Sequence, residues 1–493
     1  MRTTLRAAAA YAVGLALLLG NTLADAAKPD LVVGPGAGFR TSAPAMLRPL
    51  REDVSIVPIL TVGDTLAPSG PNAAPYVFYP LPDGLGIRKT QKGIAEAYVA
   101  HELSWRSGEG GSRVSRLAID LRNLGVLAGD YPIDGTEGFS RFCAATLVGS
   151  RERFLNPTFL LNEESIEGPR RGVVAALDVR DLTVTVLPWL GRFSHEATVI
   201  VPVSSGKLVA ILTEDWDAGR SQLYMYIADN DADFLAGRGQ LHVLRADAVP
   251  GRRNSRLSSM ATKSRPLTGR FVPIPALPAT PEANLPALLE DQVQRMGCLN
   301  FVSLEDAAPD RDRANGVYFV DTGGSDLRDP ETGHPVTSAG RVYHLSLDPF
   351  DPTRVEELRV VLDGDDGDDI FHPDNLDGDE RYLMIQEDPG SGRALHPARV
   401  LRYDTQMRRL DALAECAERD PKGDLLPRGV GGVWESTGIL DVSEIFGPDS
   451  WLLAVQAPNL KVQNFPVRGG GGQLLLLRGP RFPRPKAEPN PGR

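Results

Sequence analysis

The chain has 493 residues, with 53 Lys and Arg against 64 Asp and Glu and a formal net charge of -11. That acidity excludes a nucleic-acid binder held by phosphate contacts. Three cysteines, Cys143, Cys298 and Cys416, are too few for a disulfide framework and leave an odd thiol over.

At the start, Arg2 and Arg6 precede the apolar run Ala7 to Leu19, and Ala24-Asp25-Ala26 supplies a small-x-small cleavage signal. Together they predict a secretory signal peptide over 1–26 and a periplasmic or secreted mature protein beginning at Ala27 or Lys28. Later apolar stretches are too short to span a bilayer; Leu474 to Leu477 is ended at once by Arg478.

Short segments rich in Val, Leu, Tyr and Phe follow, each bounded by Gly, Pro, Asp or Asn. They are Val54 to Val62, Val173 to Val179, Val184 to Leu187, Thr198 to Val203, Leu208 to Thr213 and Gln222 to Ile227. The second half adds Gly316 to Val320, Arg341 to Leu347, Arg381 to Ile385, Arg399 to Tyr403 and Trp451 to Gln456. That rhythm predicts an all-β fold, and the number of segments favours a β-propeller, here spanning 27–467. Residues 252–288, rich in Ser, Pro and Ala, read as a loop insertion with a short helix near Leu288 to Met296; it either caps a channel or crosses the surface. The Gly/Pro-rich stretch 468–493 reads as a flexible tail.

Acidic residues recur where apolar stretches end. The pairs are His101-Glu102, Glu163-Glu164, His195-Glu196, Glu214-Asp215, Glu305-Asp306 and Glu387-Asp388. Carboxylates at the ends of buried strands are costly unless paired or bound to a cation, so six such pairs point to one metal site built from many strands. Calcium takes six to eight hard oxygens, which separate strands can supply. A thiolate is a softer donor that suits a transition metal, which gives Cys143 a place among the acids. The plain alternative for Glu163-Glu164, and for Asp215 and Asp388 as outer members, is a solvated turn. His101 and His195 read as partners that orient carboxylates. Asp363 to Asp369 lacks the Glu that closes an EF-hand and reads as an exposed acidic turn.

Read in order, the chain carries Ala-Tyr-Val-Ala-His-Glu (97–102), Phe-Cys-Ala-Ala-Thr-Leu (142–147), Leu-Leu-Asn-Glu-Glu-Ser (160–165), Gly-Arg-Phe-Ser-His-Glu-Ala (191–197) and Leu-Thr-Glu-Asp (212–215). Leu-Glu-Asp (304–306), Gly-Val-Tyr-Phe-Val-Asp-Thr (316–322), Gly-Arg-Val-Tyr-His-Leu (340–345), Pro-Asp-Asn-Leu (373–376) and Gln-Glu-Asp (386–388) follow. This series resembles the PhoX-type alkaline phosphatase family of bacterial secreted proteins, over roughly Val54 to Gln456. The resemblance implies a six-bladed propeller whose central pocket holds calcium and iron (Ca2+ and Fe3+) that hydrolyse phosphate monoesters. It implies that Cys143 is a thiolate to iron, and that Glu102, Glu164, Glu196, Glu214, Glu305 and Glu387 fall where the family's metal-site carboxylates fall. Asp374 and Asn375 match its Pro-Asp-Asn element.

A phosphate also needs cationic donors, and arginine gives bidentate geometry. Arg192, beside His195-Glu196, and Arg141, beside Cys143, are the nearest in sequence and the expected catalytic pair. The expected partner is a small phosphate ester, bound by a monomer without a membrane span. This chain departs from the family in three places: Arg2 and Arg6 are not a twin-arginine signal, Ser303 stands where an Arg is often found, and Val148-Gly149-Ser150-Arg151 replaces a Gly-Thr stretch. Two alternatives from other classes stay open at this point. One is a noncatalytic calcium-stabilised propeller that binds a ligand or partner; the other is a calcium-dependent lactonase or phosphodiesterase.

Overall fold

The computed structural model of the chain describes residues 22–23, 31, 33, 38–68, 74–91, 93–105, 110–215, 220–252, 256–276, 285–324, 327–390, 396–418, 433–462 and 470–479. The expected signal peptide lies outside these residues apart from a two-residue strand, Thr22–Leu23. None of the described helices is long and apolar enough to cross a membrane.

The strands form six antiparallel four-stranded blades. The first is Pro82–Gln91, Ile94–His101, Arg113–Asp120 and Val126–Ile133. The second is Phe142–Val148, Thr158–Glu163, Val174–Asp178 and Val184–Val186, with Thr22–Leu23 at its edge. The third, His195–Val201, Leu208–Glu214, Leu223–Ala228 and Gly239–Ala246, is joined through Leu267–Pro273 to the fourth, Leu304–Pro309, Gly316–Asp321, Arg341–Leu347 and Arg354–Asp363, so that the two share one nine-stranded sheet. The fifth is Pro373–Gly378, Tyr382–Glu387, Arg399–Asp404 and Arg409–Cys416, with Leu47–Pro49 added outside. The sixth combines Glu435–Asp441, Ser450–Ala457 and Gly471–Arg478 with Ser55–Thr61 from near the other end of the chain.

The first strand of each blade contacts the first strand of the next, and Glu435–Asp441 returns to Pro82–Gln91, which closes the ring. Strand periodicity explains why the blades stack. On Leu208–Glu214, Val209 and Ile211 pack towards the fourth blade, with Phe319 and Tyr343, whereas Ala210 and Leu212 pack towards the second, with Leu160 and Val174. Both faces of the strand are therefore buried, which is why it reads as a continuous apolar run. An apolar cluster of this kind fills each of the six junctions between blades.

All eleven segments expected as strands from the sequence are strands. Two regions carry more structure than expected. The Ser/Pro-rich insertion contains Leu267–Pro273, the strand that bridges two blades, and its helix begins earlier, at Leu285–Met296. Within the Gly/Pro-rich stretch, Gly471–Arg478 is a buried strand of the sixth blade, paired on both sides, because its Leu474 to Leu477 run supplies apolar side chains to both blade junctions. The tail beyond Gly479 lies outside the described residues.

Candidate metal centre

Every blade opens with the same irregularity. The pairing of its first strand with its second slips between Pro82/Leu85, Phe142/Ala145, His195/Thr198, Leu304/Ala307, Pro373/Leu376 and Thr437/Leu440. Such a bulge takes residues out of the ladder and re-aims their side chains, a recurrent device beside active sites. The first residue freed in each blade is Asp83, Cys143, Glu196, Glu305, Asp374 and Gly438. Five of the six carry a metal-ligating group. The sixth is glycine with φ +53°, and a Cβ there would meet the Asp83 carbonyl oxygen at 2.2 Å. Gly84 has the same kind of role, since a Cβ there would meet the Ala145 nitrogen at 2.4 Å where the first two blades converge.

The second strands of blades one to five repeat a division of labour. The residue opposite the bulge is His101, Glu163, Glu214, Asp321 or Glu387, and the residue after it is Glu102, Glu164, Asp215, Thr322 or Asp388. The N–H of each following residue donates to the carbonyl just before the inner strand: Leu81, Arg141, Ser194, Ser303 and His372, at 2.8 to 3.1 Å. The opposite residue braces the fold. Glu163 accepts from the N–H groups of Ser140, Gly172 and Val173, Asp321 from those of Val302, Ser303 and Gly323, and Glu387 from Phe371 N–H and the Arg399 guanidinium. The following residue lines a cavity of about 310 Å³.

The cavity wall gathers Asp83, Glu102, Cys143, Glu164, Asp215, Glu305, Asp374, Asp388 and Glu435, and its one lining cation among the described residues is Arg141. Four overlapping groups have ligand atoms within 4.8 Å of one another: Asp83–Glu102–Cys143, Cys143–Glu164–Glu196, Glu196–Glu305–Asp374 and Asp374–Asp388–Glu435. Cys143, Glu196 and Asp374 each belong to two groups. Asp83 Oδ1 and both carboxylate oxygens of Glu196 are buried without a hydrogen-bond partner, an arrangement that a cation satisfies and a solvent-free carboxylate does not.

The electrostatics follow from this crowding. Burial, then repulsion from Glu102, pushes the Asp83 carboxyl up to about 8. Burial followed by neighbouring carboxylates holds Glu196, Glu305, Asp374 and Glu435 well above the usual range; burial does the same for Glu164 against the attraction of Arg141, and burial together with Asp83 raises the Cys143 thiol. Arg141 bridges Glu102 Oε1 and Glu164 Oε2, each at 2.8 Å, and Glu164 leads the attraction that holds its charge on. It does so from a left-handed backbone, φ +53°, a conformation kept only where the surroundings enforce it.

Of the residues expected from sequence, Cys143, Glu102, Glu164, Glu196, Glu305, Asp374 and Arg141 are brought together here. Four others lie elsewhere. Glu214 accepts from the Tyr224 hydroxyl at 3.2 Å, Glu387 is paired with Arg399 at 2.7 Å, and Asn375 accepts the Gly438 N–H at 3.1 Å. Arg192 donates to the Arg170 carbonyl instead of lining the cavity. The two histidines bind backbone and a serine: His101 spans Pro80 O and Ser115 Oγ, while His195 faces Gly191 O and stacks on Phe193 at 3.6 Å. Burial lowers them to about 4 and about 3. The Asp363 to Asp369 turn is braced, with Asp365 accepting from Thr337 and Ser338 and Lys263 pairing Asp368 at 2.5 Å. Asp83, Asp215, Asp388, Glu435 and Gln456 were missed. For the four acids the signal is a carboxylate beside a strand end; Asp215 and Asp388 read instead as solvated outer members of their pairs.

Fold and site together define a β-propeller whose inner strands gather an acidic, thiol-bearing pocket with the donor set of a metal site. The family model for alkaline phosphatase PhoX matches residues 146–394, half of the chain. The chain belongs to the PhoX alkaline phosphatase family, whose members are metal-dependent, and is a phosphoester hydrolase. No curated protein sequence matches it. Among solved structures, Pseudomonas fluorescens PhoX in complex with vanadate, a transition-state analogue, superposes with a TM-score of 0.60 at 14% identity, over 90% of this chain and 98% of that one. A luciferin-regenerating enzyme gives a TM-score of 0.39 at 12% identity, over 81% of this chain and 92% of its own. The β-propeller domain of the trilobed protease from Pyrococcus furiosus gives 0.30 at 6%, over 76% and 91%.

Proposed function

We propose that this protein is an exported phosphatase that hydrolyses small phosphate monoesters with calcium and iron held in the cavity. The observation that carries the reading is the four overlapping ligand groups with unpartnered buried carboxylate oxygens at Asp83 and Glu196. Cys143, the soft donor, would hold iron together with Glu164 and Glu196, and the all-oxygen groups Glu196–Glu305–Asp374 and Asp374–Asp388–Glu435 suit calcium. When bound, the cations supply an activated water and neutralise charge on the transferring phosphoryl group. Arg141 aims a guanidinium at the cavity and offers its donors to phosphate oxygens. Asp215 lines the wall beside Glu305, and behind them the Ser303 hydroxyl hydrogen-bonds Asp215 and lies 3.2 Å from Glu305 Oε1.

The test is p-nitrophenyl phosphate hydrolysis by the mature protein with added calcium, with and without a calcium chelator. Turnover abolished by the chelator and restored by calcium is the expected result. Folded, metal-loaded protein that leaves the ester intact would defeat the reading.

A further inference from the structure

The sixth blade breaks the pattern of the other five. Its first strand frees glycine where the others free a ligand, and its second strand, Ser450–Ala457, carries no acid into the cavity. It presents Gln456 instead, a buried side chain on the cavity wall. The Gln456 amide nitrogen donates to Asp83 Oδ2 at 3.0 Å and to Glu102 Oε2 at 2.9 Å. Those two carboxylates come from two different strands of the first blade, and with Cys143 from the second blade they make one ligand group.

We propose that Gln456 is the positioning residue for the cation held by Asp83, Glu102 and Cys143. This inference rests on the reading of the cavity as a cation site. An amide NH2 has two hydrogens at a fixed angle and no charge. One meets each carboxylate, which fixes both groups without competing for the ion as a second cation would. The consequence is visible in what each carboxylate has left. Asp83 Oδ2 is occupied by Gln456 and by the Cys143 thiol at 3.4 Å, so Oδ1, which has no partner, is the oxygen turned to a ligand. Glu102 is clamped on both sides, Oε2 by Gln456 and Oε1 by Arg141 at 2.9 Å. Gln456 thus links the phosphate-facing arginine, through Glu102, to the ion site beside the thiol. Hydrogen-bond donors that orient ligands in this way are worth about 10- to 100-fold in metal affinity.

The experiment titrates Co2+ alone into the metal-depleted full chain and follows the thiolate-to-cobalt charge-transfer absorption, which appears only when the ion sits on Cys143. Gln456→Met keeps the length of the side chain and removes both donors; Gln456→Ala leaves room for water and guards against a packing defect. Both variants should need about 10- to 100-fold more Co2+ to develop the band, while metal-free protein unfolds at the wild-type temperature. A band that develops at the wild-type Co2+ concentration in both variants overturns the role of Gln456 alone. No band in the wild-type protein overturns the cation reading at Cys143 and this inference with it.

Discussion

Cys143 sits where two of the ligand groups meet, so its thiol is the single atom on which metal identity turns. Burial and Asp83 raise the free thiol, and only a bound cation makes the thiolate accessible near neutrality. Cys143→Ala is expected to fold, keep calcium and lose iron, measured by elemental analysis of the purified protein; iron retained at wild-type stoichiometry would remove the thiolate from the site. Arg141 gives a second expectation at this scale. It is already charged by Glu164 and Glu102, and its loss leaves the cavity wall without a cation among the described residues. Arg141→Gln should lower kcat/KM for p-nitrophenyl phosphate by about 10²- to 10³-fold, the usual effect of removing one donor to developing charge. Unchanged kinetics would place phosphate recognition elsewhere.

At the scale of the element, the recurring unit is a bulged first strand beside a second strand ending in a brace and a ligand. Glu387 shows what the brace does. It is fully buried, ties Arg399 and Phe371 together, and so fixes the turn before Asp374 and the backbone of Asp388. Glu387→Gln removes the buried carboxylate from Arg399 and leaves it only the exposed Asp369 at 2.9 Å; it should destabilise the protein by roughly 3 to 5 kcal/mol, read from urea unfolding, and a variant as stable as wild type would mean that Asp369 suffices for Arg399.

The same unit explains what could be read from the sequence. Second and third strands, such as Leu208–Glu214, are buried on both faces and read as apolar runs. Of the first strands only the third blade's was legible, through Thr198 to Val203 beyond its bulge; elsewhere the bulge inserts residues such as Pro82-Asp83-Gly84 or Pro373-Asp374-Asn375 where a ladder residue is expected, and these are poor strand formers. The acidic pairs were visible, but a strand end alone does not say which member of a pair faces inwards. Glu163-Glu164 and Glu387-Asp388 send the second member to the cavity, whereas Glu305-Asp306 sends the first, because that pair sits in a bulge and the others on a second strand.

For the whole molecule, the ring of bulges concentrates carboxylates from all six blades at one mouth, so the fold itself carries an electrostatic cost that cations relieve. The cost has a sign that can be measured. In the unfolded chain Asp and Glu release their protons near pH 4. In the folded, metal-free chain Asp83 holds its proton to about 8, and Glu196, Glu305 and Asp374 are raised with it by burial and mutual repulsion. Between those values the unfolded chain binds fewer protons than the folded one, so stability falls as pH rises, by about 1.4 kcal/mol per pH unit for each such group. The Asp83 contribution is complete below about pH 4 and is lost as pH climbs through about 8, and those of Glu196, Glu305 and Asp374 have the same sign. Bound cations replace the protons, and the metal-loaded protein should be nearly level over the same range. Urea midpoints taken from pH 5 to pH 9 with and without a chelator separate the two curves. Chelated protein whose midpoint holds steady or rises with pH would mean that the carboxylates at the mouth are not held in the folded state as a repelling cluster, and the need for cations would go with them.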